Sequence, residues 1–378
     1  MITRADRREH PLSRARGLGT VVALALMAGL SALSAAQSPA ASDTAAPASE
    51  AKPAAVETPA SPRPPIALVL PLESASYARA ADAVKAGFLA AAAAAAQEPP
   101  LVIGHGDGEV VAAFAKAKES GARVITGPLV RDDLKSIAAT AAELPPTIAL
   151  NQLDEGASLP PNVYALALTV DSDARQLARR ARADGAQTVI VIASDTPLQK
   201  RFAGAFNAEW ILAGGAEPTL VRFERAPEAL AQLRRDLARA PPDVALLALD
   251  GGDAVLVKPY LGVIPAYAGS QVNDRQPREM QRELNGLRFI DIPWLGEADA
   301  AALPGSARPR QANATLDRLY ALGMDAFRVA QAFVDGPPVR LDISGATGRI
   351  TLDESRQLVR QGRLFQFRAG DIVPVDSR

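Results

Sequence analysis

The chain has 378 residues, 41 Lys and Arg against 42 Asp and Glu, a formal charge of −1, two histidines and no cysteine. Near-neutral, interspersed charge excludes the electrostatic footprint of a nucleic-acid binder or a polybasic membrane patch. Without cysteine there is no disulfide framework, and with His105 the only histidine beyond the first segment, most zinc sites and most Ser-His-Asp arrangements are excluded too.

The chain opens with Arg4, Arg7, Arg8, His10, Arg14 and Arg16, then an apolar run from Gly17 that closes in GLSALSAAQSPA (Gly29 to Ala40). Basic flank, short apolar core and small-residue exit predict a secretory signal peptide over residues 1–36, and export to the periplasm as a soluble protein. Leu33-Ser34-Ala35 has the form of a lipobox, but Ala36 stands where the lipid-bearing cysteine belongs, so no lipid anchor is expected. Residues 37–63 are Ala, Pro, Ser and Thr with no apolar period. They predict a disordered linker that reaches from about 30 Å as a coil to about 90 Å as polyproline.

From Ile66 the pattern alternates. Strand-like runs at Ile66 to Leu70, Leu101 to Ile103, Arg123 to Thr126, Thr147 to Leu150, Val163 to Leu168, Thr188 to Ala193, Thr219 to Phe223, Val244 to Leu249, Val263 to Ala268 and Leu287 to Ile290 are separated mostly by helical stretches. Tyr77, Ala81, Val84 and Phe88 share one helical face; Asp171 or Ser172 caps a helix ending at Gly185; Pro197 and Pro227 open two more. In the last helix Leu316, Leu319, Tyr320, Gly323, Phe327 and Ala330 follow core spacing, with Gly323 admitting a close neighbour. This spacing predicts an α/β fold of parallel sheets with helices on both faces.

Such sheets bind ligands beyond the carboxyl ends of their strands, which selects Ser74, Ser76, Tyr77, Gly127, Asn151, Gln152, Asp195, Asp250, Ser270 and Gln271. Ser74 and Ser76 precede a helix and form either an anion seat or a helix cap. Asp195 and Asp250 are either paired carboxylates across a cleft or local caps. GHGDGE (Gly104 to Glu109) lacks the spacing and the lysine of a phosphate loop and reads as a turn, with His105 an exposed loop residue. No catalytic residue, metal or cofactor is expected.

IALVLPLESASYARAADAVKAGFLAA and the late ISGATGRITLDES resemble the opening and the closing hairpin of type I periplasmic binding proteins. Within that superfamily, TGPLVRDDLKSIA, IALNQLD, GLRFIDIPWLG and RLYALGMDAFRVA resemble the C-terminal domain of the LpoA family of penicillin-binding protein activators. The resemblance implies two lobes joined by three crossings, with 64–166 and 271–334 in the first and 167–270 and 335–378 in the second. It places Asp291 and Trp294 at the cleft rim, or Trp294 as a cover over the hinge. It also implies a non-catalytic regulator that binds a bifunctional penicillin-binding protein. The alternative is a receptor holding an amino acid or a cell-wall fragment in the cleft. Members of that family are outer-membrane lipoproteins with a helical N-terminal domain; here the Ala/Pro segment stands in that domain's place and Ala36 in the place of the lipidated cysteine.

Overall fold

A computed structural model describes residues 65–140, 143–154, 156–297, 309, 311–354 and 357–375. The expected signal peptide, the linker and Ala36 lie outside these residues.

The run Ile66–Leu70 forms β1, buried at all five positions. Ile66, Leu68 and Leu70 enter a core with α1 (Ala78–Ala94), while Ala67 and Val69 enter a second core on the opposite face. A strand covered on both sides has no solvent face for polar residues, hence the unbroken apolar run. Then follow β2 (Leu101–Gly104), α2 (Val110–Glu119), β3 (Val124–Thr126), α3 (Arg131–Ala138), β4 (Thr147–Ala149) and β5 (Val163–Ala165). These strands are all parallel, in the order β2-β1-β3-β4-β5.

The second sheet is built from α4 (Val170–Ala183), β6 (Val189–Ala193), α5 (Pro197–Leu212), β7 (Thr219–Arg222), α6 (Pro227–Arg239), β8 (Val244–Ala248), α7 (Gly251–Val257), β9 (Ala266–Ala268), α8 (Arg278–Glu283) and β10 (Arg288–Asp291). The chain continues through α9 (Pro293–Gly296), α10 (Ala314–Phe333), the strands β11 (Asp342–Ser344), β12 (Arg349–Leu352) and β13 (Leu358–Gln361), and finally β14 (Arg363–Arg368) and β15 (Asp371–Pro374). The strand order is β15-β14-β10-β9-β8-β6-β7, and β11-β12-β13 form a small antiparallel sheet. Leu230, Leu233 and Val257 cover one face of the second sheet; Leu177, Phe202, Phe206 and Trp210 cover the other.

The structure departs from the sequence reading in four respects. The second sheet is mixed, since β14 pairs antiparallel with β10 and with β15. Strand β10, expected on the first-lobe side of a boundary at 270/271, pairs with β9 and β14 in the second sheet, so the return crossing falls after Asp291. The closing segment is divided: Ala346 and Ile350 pack in the core of the first sheet, and Phe365 and Phe367 in that of the second. Finally, α4 is capped by Thr169, whose Oγ1 accepts from Ser172 N at 3.3 Å, and not by Asp171 or Ser172.

Strands β6 and β8 are also tied at their leading ends. Asp243 Oδ2 accepts from Gln187 N at 2.8 Å, Thr188 N at 2.9 Å and Thr188 Oγ1 at 3.0 Å. The amides of Gln187 and Thr188 hold this carboxyl below the usual 3.8. A depressed carboxyl adds stability above its unfolded value, and that stability is lost as pH falls through its folded value. Asp243→Ala is therefore expected to melt below the wild type near neutrality, with the gap narrowing as pH falls below the usual carboxylate value of 3.8, as thermal melts across an acid series would read. An unchanged gap would discount the ionic contribution.

Candidate functional site

The first strand-end cluster is organised by its own backbone. Ser74 is buried, and its Oγ accepts from Ser76 N and Tyr77 N, both at 3.3 Å. The amides proposed for an anion seat are thus engaged by the serine itself in the turn that leads into α1, whose N-cap Tyr77 has no side-chain cap bond; Ser76 is exposed. Gly127 donates its N–H to Ile148 O at 2.8 Å, and its φ of +123° together with Val69 O only 2.2 Å from a built Cβ requires glycine. Asn151 holds the loop after β4: Nδ2 donates to Leu129 O and Oδ1 accepts from Gln152 N, both at 2.9 Å.

What these loops leave open is a cavity of about 480 Å³ walled by Leu129, Leu150, Leu168, Leu319 and Leu322, with Tyr77 at its mouth and 44% exposed. Asn151, Thr169, Arg131 and Asp132 supply its polar edge. Gln152 turns into a different groove, of about 830 Å³, where Arg131 and Asp154 face Asp171, Arg175 and Arg201 of α4 and α5. Arg131 pairs with Asp154 at 2.9 Å and Arg201 with Asp171, so these charges are largely balanced.

At the second sheet the polar candidates are engaged locally. Asp195 is exposed and pairs with Lys200 at 3.2 Å and with Arg222. Asp250 caps α7 through Oδ1, accepting from Asp253 N at 2.9 Å. The local-cap alternative therefore describes Asp250, a surface ion pair describes Asp195, and the paired-carboxylate arrangement is not formed. Ser270 and Gln271 line a narrow gap with Asp173, Gln199 and Phe202.

Asp291 is expected at the rim and Trp294 either there or as a cover over the hinge; both are buried. Asp291 is a buried ion-pair partner: Arg318 Nε reaches its Oδ1 and Nη2 its Oδ2, each at 2.8 Å, while Asn273 Nδ2 donates to Oδ2 at 2.8 Å. Trp294 packs against Tyr320 with ring centroids 5.7 Å apart and its backbone N–H donates to Ala346 O, which makes it a core residue beside the crossing. His105 is also buried rather than exposed, because its N–H donates to Leu70 O and its C=O accepts from Glu73 N, folding the turn onto the end of β1. Its Nε2 lies 4.0 Å from Asp133 Oδ2. Burial pushes the Asp133 carboxyl up, partly opposed by His105.

Sequence reasoning missed Asp173, Arg318, Asp325 and Arg360, all buried at the crossing between the sheets. The signal available was charge inside an apolar helical period, as in RLYALGMDAFRVA. The arrangement as a whole offers an apolar recess with one exposed aromatic, and among the described residues no group of three or more His, Asp or Glu able to hold a metal. Among them also, no helix is long and apolar enough to cross a membrane.

Comparison with known proteins agrees with this architecture. The model of the LppC putative lipoprotein family matches residues 35–240 and 234–370. Proteins named penicillin-binding protein activator LpoA are similar: that of Edwardsiella piscicida is 26% identical over 70% of this chain and 44% of its own length, and that of Mannheimia succiniciproducens 26% over 82% and 55%. The chain thus spans about half the length of the curated relatives it matches. Among solved structures, the LpoA C-domain from Haemophilus influenzae, described as a regulator of PBP1A, superposes with a TM-score of 0.70 at 24% identity, over 82% of this chain and 99% of that one, which speaks for the fold. A protein from Chromobacterium violaceum described as a putative branched-chain amino acid ABC transporter gives a TM-score of 0.70 at 31% identity, over 79% and 98%.

Proposed function

Since the chain belongs to the LppC family of putative lipoproteins, we propose that it is a non-catalytic periplasmic regulator that binds and stimulates a bifunctional penicillin-binding protein. The observation that carries this reading is the run of relatives named as LpoA activators, matched over 70% and 82% of this chain in the two compared above. The site chemistry supports it. The polar groups at the strand ends are engaged by their own backbone or by neighbouring charges, and what faces outward is an apolar recess with Tyr77 beside it. A recess of this kind accepts a side chain from a partner surface, with the exposed aromatic as anchor. Export by a cleaved signal peptide, and release without a lipid at Ala36, belong to the same proposal.

Affinity capture from a periplasmic extract tests it, with recovery of a penicillin-binding protein as the expected result. Tyr77→Ala is expected to weaken that capture about 10- to 100-fold, as loss of a central aromatic anchor does. Failure to recover any synthase would overturn the reading. The second reading, a receptor for a small metabolite, is favoured by the likeness to the Chromobacterium violaceum protein. A melting-point rise of several degrees with one amino acid or muropeptide, and no synthase captured, would put that reading first.

A further inference from the structure

Helix α10 packs in the core of the first sheet through Tyr320, Leu322 and Phe327. Arg318 and Asp325 lie two turns apart on it, on one face, and each begins a chain of bonds that ends on the second sheet. Arg318 donates to Asp291 at the end of β10, and its Nη2 also to the carbonyls of Ser270 and Asn273 beyond β9, both at 2.9 Å. Asp325 accepts from Ala346 N at 2.8 Å, Thr347 N at 2.7 Å and Thr347 Oγ1 at 2.6 Å, fixing the turn between β11 and β12. Thr347 O in turn accepts from Arg360 Nη1 at 3.0 Å, and Arg360 Nη2 donates to Asp173 on α4.

One turn along α4, Gln176 engages both backbone polar groups of Gly362, donating to its carbonyl at 2.9 Å and accepting from its N–H at 3.1 Å. The two chains meet here, since a Cβ built on Gly362 would lie 3.2 Å from Arg360 Nη1 and 3.3 Å from Asp291 O. A further pair, Arg275 with Asp317, joins α10 to the segment after β9. All four residues of the two main pairs, Asp173, Arg360, Asp291 and Arg318, are under one-tenth exposed or at that limit.

Closure of two lobes on a ligand needs a few hinge residues that absorb the rotation. Here rotation would instead part several charge-assisted bonds in a place where water does not replace them, which is the costly way to break a polar contact. From these two buried struts we infer that the two sheets form one rigid body with a cleft of fixed opening, suited to a preformed macromolecular surface and unable to close on a small ligand. This inference concerns the isolated chain and does not depend on which partner it binds.

The chain has no cysteine, so Ser76→Cys and Gly252→Cys, exposed positions beyond the strand ends of the two sheets, take a pair of spin labels without background. Electron–electron resonance distances are expected to show one narrow peak, unmoved by saturating leucine, by other amino acids or by muropeptides. Asp173→Asn with Arg360→Gln removes both charges from one strut and leaves neither unpaired; it is expected to broaden the peak. Gln176→Ala, which removes two bonds and no charge, serves the same purpose should the double variant fail to fold, as circular dichroism would reveal. Two peaks in the labelled protein with both struts intact, a shift on adding a ligand, or an equally narrow peak in a folded strut variant would each overturn the inference. Capture of a synthase by a chain whose lobes move would still leave the docking reading standing.

Discussion

Arg318→Leu is expected to destabilise the protein by about 3–5 kcal/mol, the range for breaking a buried ion pair from one side. The leucine leaves Asp291, 2% exposed, with only Asn273 Nδ2 and Ile292 N as donors, and it also strips the carbonyls of Ser270 and Asn273 of the same guanidinium. Burial alone would lower the Arg318 pKa, but the Asp291 carboxylate outweighs it and holds the guanidinium firmly charged. Arg318→Lys keeps the charge and loses the planar fork that reaches both Asp291 oxygens, so its cost falls between wild type and leucine. Arg318→Leu with Asp291→Leu is expected to recover part of the loss, because no charge is then left buried alone. Urea denaturation of the four proteins reads these differences through the unfolding midpoint. A single-leucine variant within about 1 kcal/mol of wild type would mean that water enters the crossing and satisfies Asp291.

The local pattern of the sequence was enough for most elements, because burial leaves a period behind. The runs at β1, β6 and β8 are apolar on both faces and read as covered strands, and they are. In the helix from Ala314 to Phe333, Tyr320, Gly323, Phe327 and Ala330 are buried as expected, whereas Leu316 and Leu319 are only half-buried and Leu322, Met324 and Phe333 are buried as well, so the helix is covered on more than one face. What the pattern does not hold is partnership. Strand β10 reads correctly as a strand, yet its sheet is decided by β9 and β14, and nothing in FIDIPW names them. The struts are illegible for the same reason: Asp291 meets Arg318 from 27 positions away and Asp173 meets Arg360 from 187. The candidate site was legible in the same measure. Tyr77, singled out by its position after a strand, lines the recess, whereas Ser74 and Asp250 read equally as ligand groups or as local caps, and the donors they meet are amides two or three residues ahead. Choosing between a cap and a ligand seat depends on the geometry of the turn, which residue types leave open.

Gly323→Ala is expected to cost about 3 kcal/mol, at the upper end of what overpacking does, although alanine is intrinsically the better helix former by about 1 kcal/mol. Helices α1 and α10 meet backbone to backbone: a Cβ built on Gly323 would lie 2.0 Å from Val84 O, and one on Gly87 would lie 1.9 Å from Tyr320 O. Neither obstacle is the tip of a flexible side chain, so the helices must part, and with them the edge-to-face contact of Phe88 and Phe327 at 5.4 Å and the packing of Trp294 on Tyr320. Gly87→Ala faces the same obstruction from the opposite helix, so the two substitutions together are expected to cost less than their sum, since the first separation makes room for the second methyl. Gly204 provides the control. It lies within α5, nothing stands within 4 Å of its built Cβ, and Gly204→Ala is expected to be neutral or to stabilise by up to about 1 kcal/mol. Thermal and urea midpoints for the three single variants and the Gly87→Ala/Gly323→Ala pair decide the matter. A Gly323→Ala protein as stable as Gly204→Ala would show that the two helices do not meet as closely as their glycines permit.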